Sequence, residues 1–210
     1  MPKLMIRLLL TSLSLLLFVS CKSYEIQGVE KKVSNVSSIQ SSYFSNPETD
    51  YVYKAHIEVY GNDLSGIFVV KKINEATHRV VLTTDFGNKL LDFELSESDF
   101  KVNYIVADLD KKIVINTLKK DFRLLLQNNF LVDEVFENEQ ATVFKSKDGS
   151  QINYIIVSKE NNSITEIKNT SKTKEKVVFK FVPKNVTFTE SILIQHYNIK
   201  LKIELNQISN

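Results

Sequence analysis

The chain has 210 residues, with 27 Lys and Arg against 25 Asp and Glu, 5 Gly, 3 Pro and a single Cys. This near-balance lacks the basic excess of a nucleic-acid binder, so no nucleic-acid partner is expected. One cysteine excludes an internal disulfide and a thiolate metal cluster, and abundant Val, Ile, Thr, Tyr and Phe favour strands.

Lys3 and Arg7 are the only charges before Lys22, and they precede the run LLLTSLSLLLFVS, which ends on Ser20 beside Cys21. As a helix, Leu8 to Val19 would span roughly 18 Å, short of the roughly 30 Å hydrocarbon core of a bilayer. The order of charged, apolar and small residues is that of a secretion signal. Phe18-Val19-Ser20-Cys21 resembles the lipobox of bacterial lipoproteins, with Phe18 where Leu is usual. The resemblance implies that residues 1–20 are a signal peptide cut before Cys21. It also implies that the Cys21 thiol carries diacylglycerol, that its amine carries an acyl group such as palmitate, and that Cys21 is the membrane anchor. Lys22, by the same resemblance, fits export to the outer membrane, with the body on its periplasmic face.

Residues 21–50 are polar, rich in Ser, Asn and Glu, and read as a lipid-anchored tether with room for a short first strand or helix. A single domain is expected over 51–210. It opens at Tyr51, where Tyr51, Tyr53, Ala55, Ile57 and Val59 alternate with polar and half-buried positions, the period of a strand with one face covered. Gly61-Asn62-Asp63 is turn chemistry, Leu64 to Ile73 is the return strand with Gly66 as a candidate bulge, and further strands follow at His78 to Thr84, Lys89 to Leu95 and Phe100 to Val106. Short connections make this half an antiparallel meander.

Asp110 is a candidate cap for a helix over about Lys111 to Gln127. Val114, Ile115, Leu118, Phe122, Leu125 and Leu126 fill an arc of about 120° on that helix, a stripe meant for a core. Lys112, Lys119, Lys120 and Arg123 share the neighbouring arc with Asn116. This basic face is either simply solvated or a contact surface for a membrane or partner. Past an acidic connector, Asp133 to Glu139, strands return at Ala141 to Lys145, turn at Asp148-Gly149, and continue at Gln151 to Ser158, Ser163 to Lys168 and Lys176 to Val182. The tail alternates twice, with Asn198 at the bend. The fold class predicted is mainly β: a large curved antiparallel sheet, an open half-barrel, with one central amphipathic helix.

The sequence contains no strong catalytic motif. His56, His78 and His196 fall on different strands away from any second ligand, and read as surface or rim residues; no metal site is expected. Asp92 and Glu94 alternate with Leu91, Phe93 and Leu95 and read as solvent-facing acids. No nucleophile elbow or phosphate loop is present, and the predicted protein is not an enzyme and has no cofactor. Ile57, Val59, Ile67, Val69, Val81, Phe93 and Ile105 form a candidate acyl-binding face, or an ordinary core. With the helix face Leu118, Phe122 and Leu125 they compose the candidate lipid site.

The lipobox, the curved sheet and the mid-chain helix together resemble the LolA/LolB family of lipoprotein carriers. The stretches HRVVLTTDFGNKLLDFELSES and TLKKDFRLLL are similar to uncharacterised lipoproteins of Bacteroidetes. The resemblance implies an open half-barrel plugged by helices, whose apolar interior accepts the acyl chains of lipid or lipoprotein cargo. The alternative is a non-catalytic envelope scaffold with a packed core and no ligand; its protein partners are unspecified.

Overall fold

The structure is a computed structural model that describes residues 23–149 and 151–208. The predicted signal peptide and the lipidation residue Cys21 lie outside the described residues. Strands β1 (Glu30–Lys32) and β2 (Ser38–Gln40) precede the first meander: β3 (Asp50–Val59), β4 (Asn62–Lys72), β5 (His78–Thr83), β6 (Lys89–Leu95) and β7 (Phe100–Ile105). A helix, α1 (Lys112–Leu126), leads through β8 (Asn129–Leu131) into the second meander. That meander runs β9 (Glu134–Glu137), β10 (Ala141–Asp148), β11 (Gln151–Ser158), β12 (Ile164–Thr170), β13 (Glu175–Pro183), β14 (Thr189–His196) and β15 (Leu201–Gln207).

The two meanders join where β15 pairs antiparallel with β3, making one 13-stranded sheet in the order β1-β9-β10-β11-β12-β13-β14-β15-β3-β4-β5-β6-β7. It is antiparallel throughout and not closed into a barrel. β2 and β8 form a separate two-stranded ribbon. Because β7 lies at one edge and β9 next to the other, the segment joining them must cross a face of the sheet, and α1 is that crossing. Phe122 stacks on Phe68 of β4 at 5.6 Å and Phe93 of β6 at 6.3 Å, while the adjacent Asp121 reaches His196 of β14. The sheet wraps its concave side around the helix.

Cross-strand register makes that concave side apolar. Phe144, Ile155, Ile167, Phe179, Ile194, Ile203, Ile57 and Leu64 stand directly opposite one another from β10 to β4, so they line one face as a continuous row. A second row, Tyr53, Phe68, Leu82, Leu91 and Ile105, continues to β7. Leu118, Phe122 and Leu125 of α1 are buried against this surface.

Three expectations are corrected here. The described part of the 21–50 stretch is not a free tether: β1 pairs with β9, β2 with β8, and Tyr43 and Phe44 are buried in the core. Tyr43 stacks near Phe181 at 5.4 Å and donates its hydroxyl to the Ile164 carbonyl, and burial pushes that phenol up to about 12. Isolated aromatics in a polar stretch carry no periodicity, so only the tertiary contact shows their use. The acidic connector contains β9, whose Glu134 is held by Lys31 and Lys145 and Glu137 by Lys32 and Lys159. Lys111, rather than Asp110, takes the N-cap position of α1, with no side-chain cap bond.

Gly66 is not at a bulge: the β3–β4 register passes through it unbroken. A Cβ there would lie 1.7 Å from the Thr83 carbonyl oxygen, so the residue is a glycine because another strand's backbone occupies the side-chain position.

Candidate functional site

The seven residues of the candidate acyl face fall on both sides of the sheet. Ile57 and Val59 are buried on the concave side, as is Phe93 at 0% exposure; Ile105, half-buried, stands opposite Leu91 on that side. Ile67, Val69 and Val81 point the other way, since Ile67 stands opposite Lys54 and Thr83, and Val69 opposite Val52 and Val81. The tight turn after Val59 sets odd-numbered residues of β3 against even-numbered residues of β4, so Phe68 and Val70 hold the inner positions.

The basic arc of α1 is dispersed as well. Lys119 is half-buried with its ammonium 5.2 Å from the Phe100 ring centre, a cation–π contact. Arg123 donates from Nη2 to the carbonyls of Ser98 and Asp99, each at 3.2 Å, and fastens the helix to the β6–β7 turn. Lys112 and Lys120 are exposed.

Asp92, expected in solvent, is 0% exposed. Arg79 donates to both of its carboxylate oxygens, at 2.9 and 2.7 Å, and Lys89 adds a bond at 2.8 Å. The Arg79 bond holds this carboxyl far below the usual carboxylate range, outweighing the opposing effect of burial. Long Arg and Lys stems fold over the outer face and cover the acid. His56 is half-buried and bonds Ser65, whereas His78 and His196 are buried, contrary to the surface reading. His78 Nε2 lies 3.1 Å from the Phe44 carbonyl, and burial lowers its pKa.

The most developed polar feature is a cleft of about 410 Å³ between α1 and the ends of β10, β11, β12, β13 and β14. Two residues along from the apolar row, the concave face presents Ser146, Asn153, Asn169, Val177 and His196 directly opposite one another. The trough is therefore greasy in its interior and polar at this mouth. Asn169 Nδ2 donates to Asn153 Oδ1 at 2.7 Å and Gln151 Oε1 at 2.9 Å. From the helix, Asp121 Oδ2 meets His196 Nε2 at 2.8 Å, with the residues 3% and 7% exposed. Burial pushes the Asp121 carboxyl up, against the pull of the His196 bond and of Lys120. His196 Nδ1 and Arg123 Nε are buried without a partner among the described residues. Lys120, Arg123, Lys176 and Asp148 complete the charged lining. Among the described residues no group of three or more His, Cys, Asp or Glu is arranged to hold a metal ion.

Sequence reading missed this cleft. Asn153, Asn169 and His196 interrupt otherwise apolar alternation, which is a signal, but their convergence depends on pairing between strands up to 43 residues apart, as Asn153 and His196 are.

No protein-family model matches this chain, and no curated protein matches it. In solved structures it is similar to a DUF1329 family protein from Desulfovibrio piger ATCC 29098, at 8% identity and a TM-score of 0.38, over 77% of this chain and 85% of that one. It is also similar to a domain described as an outer membrane lipoprotein-sorting protein, from Vibrio parahaemolyticus. Here identity is 7% and the TM-score 0.42, over 76% of this chain and 83% of that one. Neither likeness transfers an activity or a family to this chain.

Proposed function

We propose that this protein is a non-enzymatic lipoprotein of the cell envelope, anchored through Cys21 to the periplasmic face of an outer membrane, whose concave sheet holds acyl chains as a carrier or acceptor of lipid or lipoprotein cargo. The observation that carries the reading is the apolar concave row from Phe144 to Leu64, covered by α1, which enters by a long crossing rather than by strand pairing. A helix so held can shift without breaking the sheet's hydrogen bonds. Its 15 residues extend roughly 22 Å, enough to cover a chain that fills about half of a roughly 30 Å hydrocarbon core.

The second reading, an envelope scaffold with no ligand, is favoured by the tight closure of the interior, where Ile57, Val59 and Phe93 are at most 4% exposed. Native mass spectrometry separates the two. The body from Ser23 onward, expressed without its anchor in a bacterial periplasm and purified without detergent, should retain an acyl-chain mass. A bare folded polypeptide that stays bare after exposure to lipid vesicles would favour the scaffold and overturn the carrier.

A further inference from the structure

The polar mouth of the trough has a charge that the acyl reading alone does not explain. The side chains of Lys120 and Lys176 line this cleft with no ion-pair or hydrogen-bond partner among the described residues. Arg123 donates to the Ser98 and Asp99 carbonyls and Asp121 is bonded to His196, so the free charges lining the cleft are Lys120 and Lys176 against Asp148, a net positive set. Two buried polar atoms of residues lining the same cleft, Arg123 Nε and His196 Nδ1, have no partner among the described residues, a cost unless something with polar atoms sits against them.

We propose that this cleft binds the phosphate head of an anionic lipid whose chains enter the trough, an assignment that rests on the acyl-binding reading. A phosphate monoester carries about −1.5 to −2 charges and three acceptor oxygens. It balances the excess and can accept from Lys120, Lys176 and the Asn153 amide together. A zwitterionic head brings no net charge and leaves the two lysines uncompensated. Lys120 also places the site on α1, so a bound head fixes the helix that covers the chains.

The test is calorimetric titration of the full chain, in non-ionic detergent and phosphate-free buffer, with short-chain monomeric phosphatidic acid, the matching phosphatidylcholine, and inorganic phosphate. Phosphatidic acid should bind about ten-fold more tightly than phosphatidylcholine. The double variant Lys120→Gln, Lys176→Gln should erase that preference while keeping its melting temperature. Lys112→Gln, on the same helix but outside the cleft, should keep both. Equal affinity for the two lipids, with no competition by phosphate, overturns the assignment and leaves the acyl reading standing. A preference lost equally in Lys112→Gln also overturns it, because general attraction would then suffice. Phosphate binding that depends on Lys120 and Lys176 while neither lipid binds keeps the anion site, assigns it to a soluble phosphate ester, and removes the acyl reading instead.

Discussion

His196 Nε2 lies 2.8 Å from Asp121 Oδ2, and this buried contact is the polar link between α1 and the second meander. The rest of the helix's hold on the sheet is mainly apolar, through Leu118, Phe122 and Leu125.

Removing one member of a buried pair leaves the other without compensation. Asp121→Ala should destabilise the fold by about 3 kcal/mol, and Asp121→Asn, which keeps a hydrogen-bonding group in place, by about 1 kcal/mol. Urea denaturation of both, with His196→Ala and the double variant, gives the coupling energy. A coupling indistinguishable from zero would contradict a pair that acts in the fold.

His78 is the pH-sensitive joint between β5 and the Tyr43–Phe44 segment. Its ring must be neutral where it is buried, with Nε2–H donating to the Phe44 carbonyl. With its folded pKa lowered, the unfolded chain binds the extra proton, so this contribution is complete above about pH 6.5 and declines as pH falls below it. Melting temperatures between pH 7.5 and 5.5 should fall in the wild type and fall less in His78→Gln. Parallel slopes would remove His78 as the cause.

Asp92 titrates in a separate, acidic window. Its folded pKa is depressed, so its contribution is present above about pH 4 and lost as pH falls further. Arg79 and Lys89 are about half exposed and rehydrate when the acid is removed. Asp92→Asn should therefore cost about 1–2 kcal/mol at neutral pH and very little at pH 2. Chemical denaturation at the two pH values measures both, and a cost that is the same at each would rule out the ion cluster as its source.

Gly66→Ala should be among the most damaging small substitutions, since the added methyl overlaps the Thr83 carbonyl at 1.7 Å. Strand backbone must shift to admit it, at a cost of about 3 kcal/mol or more. A thermal melt within a degree or two of the wild type would show that β5 yields there at no cost.

The alternation of Tyr51 to Val59, the turn at Asp148-Gly149 and the apolar arc of α1 each depend on neighbours in sequence, and the strand and helix positions follow from them closely. Predicted fold class and helix extent agree with the structure for that reason. Other features depend on which strand lies beside which. The face that Ile67 and Val69 occupy follows from the β3–β4 register, where a shift of one residue exchanges inside for outside. β1 and the burial of Tyr43 depend on partners more than 100 residues away, Glu137 for Glu30 and Ile164 for Tyr43, and β2 sets Ile39 opposite Phe130, 91 residues on. Asn153, Asn169 and His196 are single interruptions along three separate strands until β11, β12, β13 and β14 pair. The sequence by itself determined the helix and most strands of the two meanders, because turn chemistry and periodicity are local. Tertiary structure alone decided the faces and the polar mouth, because both are set by strand order and register, which bring distant residues to one wall of the trough.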